Sequence, residues 1–214
     1  MKIVIGIDVG ISTTKIIGIN EEGRVLSPIR IRATDPVTSL YGAFGKYLYD
    51  NKIQLDDVEK VMLTGVGAAY IDKAVYGLPT GKSEEFIANG LGARYETDQK
   101  RMMVVSMGTG TSIVKCDQDS IMHVGGIGIG GGTLQGLSRL LLNTDDIKQV
   151  AALAEHGDLS HINVLISDIS LNPLPGLPMD AIASLFGNAK SDASREDLAL
   201  GLIWMVLQSI CSAS

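Results

Sequence analysis

Two segments about a hundred residues apart repeat one local plan. In the first, Val4, Ile5 and Ile7 run into Asp8-Val9-Gly10-Ile11-Ser12-Thr13-Thr14, and Ile16, Ile17 and Ile19 follow Lys15. In the second, Met102 to Val105 runs into Ser106-Met107-Gly108-Thr109-Gly110-Thr111-Ser112, with Thr111 to Lys115 as the returning strand. β-Branched runs on both sides of a short polar, glycine-containing turn predict hairpins. A third run follows each, Val25 to Ile31 and Ile121 to Val124, so each hairpin extends to a meander. A chain that restarts its own pattern in this way is expected to be an internally duplicated α/β protein with a cleft between its halves. The halves are expected at 1–100 and 101–214.

Between the meanders, Pro36 opens a helical pattern through Val37, Leu40, Phe44, Tyr47 and Leu48, and Val58 to Leu63 reads as a buried strand. Helices are expected at 69–76 and 83–95, with Ser83 as an N-cap. Beyond the second meander a helix is expected through Leu134, Leu137, Leu140 and Leu141, another at 146–155, and a loop at Pro173, Pro175 and Pro178. The last helix starts near Ser194, whose Ser-Arg-Glu-Asp sequence caps well. No strand follows to cover it, so the second half is expected to be incomplete.

The formal charge of −6, with no stripe of Lys or Arg, argues against a nucleic-acid partner. The start reaches Gly6 and Asp8 too soon for a signal h-region. The longest apolar run, Leu198 to Leu207, is half the ~20 residues of a membrane span, so a cytoplasmic protein without a membrane partner is expected. Cys116 and Cys211 stand far apart, with neither a CxxC pair nor a neighbouring histidine.

Three segments carry chemistry. At the first turn, the Asp8 carboxylate is able to hold a water of a hydrated Mg²⁺, while Gly10, Ser12, Thr13 and the charge of Lys15 suit phosphate oxygens. At the second, Gly108, Thr109 and Gly110 repeat the arrangement, and two such turns facing each other would grip phosphates from both sides. The third is a run of six glycines among residues 125–132 leading into a helix. Bare backbone admits a ligand closely, and the free amides of a helix start favour an anion, so Gly130, Gly131, Gly132 and Thr133 are candidate nucleotide contacts. Gly77 to Ser83 imitates a P-loop but has three residues between its glycines where that loop needs four. Glu84 and Glu85 suit a first helical turn for electrostatic reasons alone. His123 precedes the glycine run, where a polar strand end and a ligand contact are both open readings. His156 and His161 look like loop and helix-cap residues.

Together these pieces resemble the actin-like (ribonuclease H-like) superfamily of sugar kinases and ATPases, and within it the type II (staphylococcal and eukaryotic-like) pantothenate kinases. Carrying the resemblance are the Asp8 hairpin, Glu85-Phe86-Ile87-Ala88 with Gly92, the Gly108 to Ser112 turn, Val124 to Leu137, Ala154-Glu155-His156-Gly157-Asp158 and Ser184-Leu185-Phe186-Gly187. The resemblance implies ATP-dependent phosphorylation of pantothenate at the head of coenzyme A biosynthesis, with ATP and Mg²⁺, in a homodimer paired near Trp204 and Met205. It implies that Glu85 is the catalytic base, that Asp8 serves Mg²⁺ through water, and that Thr109 faces the transferring phosphoryl group.

Bacterial members carry an arginine just before Val-Gly-Gly as a pantothenate contact, and this chain has His123. An imidazole does not reproduce a permanently charged, bidentate guanidinium. Two other functions remain open on the residues alone. The Gly6 to Lys15 motif also resembles the ATPases that activate 2-hydroxyacyl-CoA dehydratases, whose iron–sulfur cluster needs paired cysteines. A non-catalytic nucleotide or CoA binder is the third.

Overall fold

The computed structural model describes residues 2–32 and 35–214. The chain forms two units, one of Met1–Val104 with Val114–His123, the other of Val105–Ile113 with Val124–Ser214.

In the first unit, β1 (Ile3–Val9), β2 (Thr13–Asn20), β3 (Ile29–Arg32), β4 (Val58–Thr64) and β5 (Thr80–Lys82) form one sheet in the order β3-β2-β1-β4-β5. The hairpin connections make β1–β2 and β2–β3 antiparallel, whereas helix α1 (Pro36–Asn51) carries the chain back so that β4 lies parallel to β1. Strand alternation then separates core from site. Ile3, Ile5, Ile7 and Val9 are all 0–1% exposed and meet Leu40, Phe44 and Tyr47 of α1, so Asp8 falls on the opposite face. Each such buried aliphatic or aromatic side chain contributes about 1.5–3 kcal/mol. Asp35 caps α1 by accepting from the Thr38 amide at 2.7 Å, and Pro36 takes the first turn, where no amide bond is lost.

The helix expected at 69–76 does not form. Two short 3-10 turns, Val66–Tyr70 and Val75–Gly77, stand there instead. Ala68, Ile71 and Val75 are buried at spacings of three and four, which imitates a helix face, but Tyr76 and Gly77 adopt positive φ and break the path.

Helix α2 (Glu85–Thr97) leads to β6 (Met102–Met107), β7 (Thr111–Cys116) and β8 (Ile121–Ile127), neighbours in that order in a three-stranded sheet. β8 runs past the expected Val124, so Gly125 and Gly126 belong to a strand and not to a free loop. A Cβ on Gly126 would lie 2.6 Å from the Thr111 carbonyl oxygen, which accounts for the glycine.

The second unit continues with α3 (Gly131–Leu142), α4 (Ile147–Ala154), β9 (Val164–Leu165), α5 (Ile166–Ile169), β10 (Ile182–Ser184) and α6 (Arg195–Ala213). Its core joins Leu142, Val150, Ala154, Ala199 and Leu202, with Leu134, Leu137 and Met205 packed against them. By length and composition alone, the 19 residues of α6 would suffice to cross a membrane, which the shorter run Leu198 to Leu207 did not announce. Here α6 buries Asp197, Ala199, Leu202, Val206 and Ile210, and it packs on α3 and α4. Ser194 caps it as expected, its hydroxyl accepting from the Asp197 amide at 3.0 Å.

Candidate active site

Asp8 and Lys15 are register partners across the first hairpin, and the Lys15 Nζ lies 2.6 Å from the Asp8 Oδ2. The turn between them closes with the Gly10 amide donating to the Thr13 carbonyl at 3.1 Å. A Cβ on Gly10 would stand 2.7 Å from that same oxygen, so the turn needs glycine there. Ser12 is exposed and Thr13 half-buried. The sequence reading missed Gly65, which sits at φ +83 after β4 with no room for a Cβ against the Asp8 Oδ1 and the Val9 carbonyl. Its signal was Thr64-Gly65-Val66-Gly67 at the end of a buried strand. A cavity of about 360 Å³ opens beside the pair, walled mainly by Ile17, Ile29, Met62 and Ala88, with Asp8, Lys15 and Ser83 among its polar members.

Glu85 is the first residue of α2 and is exposed. The N-cap is Glu84, not the expected Ser83, and its side chain makes no capping bond. Ser83 is still held by the sheet, its amide donating to the Leu63 carbonyl at 2.9 Å, so the helix cannot begin before it is released. His123 lies flat on Phe86, with ring centroids 4.0 Å apart and planes 20° from parallel. Gly90 and Arg94 hold α2 to the β7–β8 hairpin. A Cβ on Gly90 would meet Ile121 at 2.6 Å, and the Arg94 guanidinium donates to the carbonyls of Asp117 and Ser120.

In the second unit, the Gly108–Gly110 turn and the start of α3 pack backbone on backbone. The amides of Gly131 and Gly132 donate to the carbonyls of Gly108 and Thr109 at 2.8 and 2.9 Å. The Gly130 amide donates to the Thr133 hydroxyl at 3.3 Å, and that hydroxyl donates to the Gly128 carbonyl at 3.2 Å. The free amides expected at this helix start are therefore engaged by the neighbouring turn. Glycine is required first for packing, since a Cβ on Gly130 would come within 2.8–2.9 Å of the Gly110 backbone. Thr109, Gly108 and Gly131 remain exposed. The structure thus joins Gly108, Thr109 and Gly110 to Gly130–Thr133 in one unit, and Asp8, Lys15, Glu85 and His123 belong to the other.

Two segments quoted for the resemblance turn out to brace α6. Gly157 leaves no space for a Cβ beside the Glu196 carbonyl, and the Asp158 amide donates to the Asp197 Oδ1 at 2.7 Å. His161 places its Nδ1 3.1 Å from the Asp197 Oδ2. Burial opposes the charge on Asp197, but hydrogen bonds from Asp158, Ser194 and His161 outweigh it and hold the carboxyl below its usual range. Phe186, at φ 56, presses its ring on Gly201, where a Cβ would lie 3.1 Å away.

Residues 82–214 match the family described as Fumble. A type II pantothenate kinase of Staphylococcus aureus (strain bovine RF122 / ET3-1) is 32% identical over 189 residues, covering 86% of this chain. The chain spans 66% of that relative's length. Among solved structures, the activator of 2-hydroxyisocaproyl-CoA dehydratase from Clostridium difficile superposes with a TM-score of 0.67 at 16% identity, over 98% of this chain and 74% of that one. Component A of (R)-2-hydroxyglutaryl-CoA dehydratase from Acidaminococcus fermentans gives 0.67 at 14% identity, over 100% and 78%. These likenesses establish the fold, an α/β fold of the actin-like kind. The sequence match goes further, and the chain belongs to the Fumble family, that of the type II pantothenate kinases.

Proposed function

We propose that this chain carries the machinery of an ATP-dependent pantothenate kinase, acting in the first step of coenzyme A biosynthesis. The observation that carries the reading is α2's first turn. It presents an exposed carboxylate, Glu85, next in the chain to Phe86, on which His123 stacks, in a chain similar to a type II pantothenate kinase over 86% of its length.

Glu85 takes the proton of the primary hydroxyl of pantothenate as that oxygen bonds to the γ-phosphorus of ATP. The bond from phosphorus to the β–γ bridging oxygen breaks, and ADP leaves with the electron pair. Lys15 offsets phosphate charge. Within the first unit Gly10, Ser12 and Thr13 are the proposed phosphate contacts; within the second, Gly108, Thr109, Gly110 and Gly130–Thr133 are the proposed nucleotide contacts, by close approach of bare backbone, since the Gly131 and Gly132 amides already donate to Gly108 and Thr109. His123 contacts the acceptor. Among the described residues no group of three or more His, Cys, Asp or Glu is placed to hold a metal. A lone, partly exposed carboxylate such as Asp8 suits Mg²⁺ in its hydrated form, since this ion keeps several waters and leans on substrate phosphates. When bound there, Mg²⁺ supplies charge neutralisation of the phosphates.

The dehydratase-activator reading rests on the short Gly6–Lys15 motif, and the structures of that kind, at 14–16% identity, add fold and no activity to it. Cys116 is buried and Cys211 exposed, both as free thiols. We further propose a cytoplasmic homodimer paired through α6. Trp204 and Leu207 stand 43% and 44% exposed, and Met205 beside them is half-buried against the unit's own core. Light scattering at micromolar concentration reads this, and a monomer mass contradicts it. Turnover of pantothenate against pantetheine and sugars, each with ATP and Mg²⁺, tests the function. Phosphorylation of a sugar without pantothenate overturns it.

A further inference from the structure

We propose that Phe86 is a positioning residue for the acceptor, holding the plane of the His123 imidazole. The inference rests on the pantothenate reading above. His123 is exposed on β8, and among the described residues no hydrogen bond or ion pair holds its ring. Its ring is stacked on Phe86 at 4.0 Å and 20°. With one face covered, both ring nitrogens point along the ring edge, where they are available to a hydroxyl or carboxylate of the acceptor.

Phe86 follows Glu85 in the chain, and successive helical residues project about 100° apart. One helical turn therefore supplies the base and, to its side, the platform for the acceptor contact. The helix is also fastened to the hairpin that bears His123, through Gly90 against Ile121 and Arg94 on the Asp117 and Ser120 carbonyls. A histidine held in this way loses less side-chain freedom when the acceptor binds. Phe86 thereby acts on acceptor affinity and leaves the phosphoryl-transfer step to Glu85.

The test compares Phe86→Leu, which keeps apolar bulk without a flat face, with Phe86→Tyr, which keeps the face. Proton NMR of His123 and steady-state kinetics are measured on the same proteins. The expected result is a ring-current shift of the His123 ring protons in wild type and Phe86→Tyr that disappears in Phe86→Leu. The KM for pantothenate rises about three- to tenfold in Phe86→Leu, the worth of one immobilised side chain. Its kcat and its KM for ATP stay within about twofold, and Phe86→Tyr behaves as wild type. An unchanged shift in Phe86→Leu overturns the stack, and a lost shift with unchanged KM overturns the positioning role. A parallel loss in kcat and in ATP affinity marks general damage and also overturns it. In these three cases wild-type turnover of pantothenate leaves the kinase reading standing, whereas no wild-type turnover overturns both.

Discussion

Lys15 stands directly opposite Asp8 on the first hairpin, with its Nζ 2.6 Å from the Asp8 Oδ2, and Gly65 closes over the other carboxylate oxygen. The lysine side chain is 52% exposed and the carboxylate 25%, so water screens the pair, which is worth at most about 1 kcal/mol to the fold. The pair is better suited to a ligand than to stability. Lys15→Met is therefore expected to leave the melting temperature of the free protein nearly unchanged and to remove most of the rise produced by saturating ATP with Mg²⁺. Differential scanning fluorimetry measures both, and an undiminished ATP shift refutes a phosphate role for Lys15.

Packing between the Gly108–Gly110 turn and α3 makes a separate prediction. Gly130→Ala places a methyl group 2.8–2.9 Å from the Gly110 backbone, whereas Gly128 has open space around it. Forcing the contact costs roughly 1–3 kcal/mol. Urea unfolding is expected to show a lowered midpoint for Gly130→Ala and a near-normal one for Gly128→Ala. Equal midpoints contradict the packing described.

Asp197 provides a pH signature. Its carboxyl is held below the usual 3.8, so the folded state binds its proton less readily than the unfolded chain. Its contribution is then full above about pH 4 and is lost as pH falls through the lower folded value. Asp158, likewise lowered by bonds from Ser160, adds to the same acid window. Asp197→Asn should cost about 2 kcal/mol at neutral pH, the order of a hydrogen-bonded charge, and flatten the acid limb of a stability–pH curve. An acid limb identical to wild type means that the brace between Asp158, His161 and α6 is not what Asp197 stabilises.

Substituting arginine at position 123 tests the proposed acceptor contact. In His123→Arg a guanidinium, charged at any ordinary pH, pairs with the carboxylate of pantothenate, and a lower KM for that substrate is expected. Competition kinetics across several hydroxyl acceptors checks it. If His123→Arg leaves pantothenate unrecognised while another acceptor is phosphorylated, the kinase chemistry stands and the substrate assignment falls.

Much of the fold was legible because period-2 alternation at Ile3, Ile5, Ile7 and Val9 and helical spacing at Leu40, Phe44 and Tyr47 are direct consequences of burial. The helix expected at 69–76 failed because Ala68, Ile71 and Val75 bury at helical spacing without a helix. The site was legible only in part. Asp8 and Lys15 are neighbours in one hairpin, so their pairing follows from local register. Local sequence says nothing of Gly65 against Asp8, of Phe86 beneath His123, or of Gly130–Gly132 against Gly108–Gly110, because each contact joins distant segments. A glycine run looks the same in sequence whether it makes room for a nucleotide or for another turn, and here the first occupant is the Gly108–Gly110 backbone.

We propose Glu85, at the start of α2, as the base of a pantothenate kinase. Steady-state turnover of Glu85→Gln with pantothenate, alongside its ATP-induced melting shift, tests it most directly. A normal ATP shift is expected, with kcat lowered by about 10²–10⁴, the usual contribution of a positioned general base. Full turnover by Glu85→Gln would contradict it.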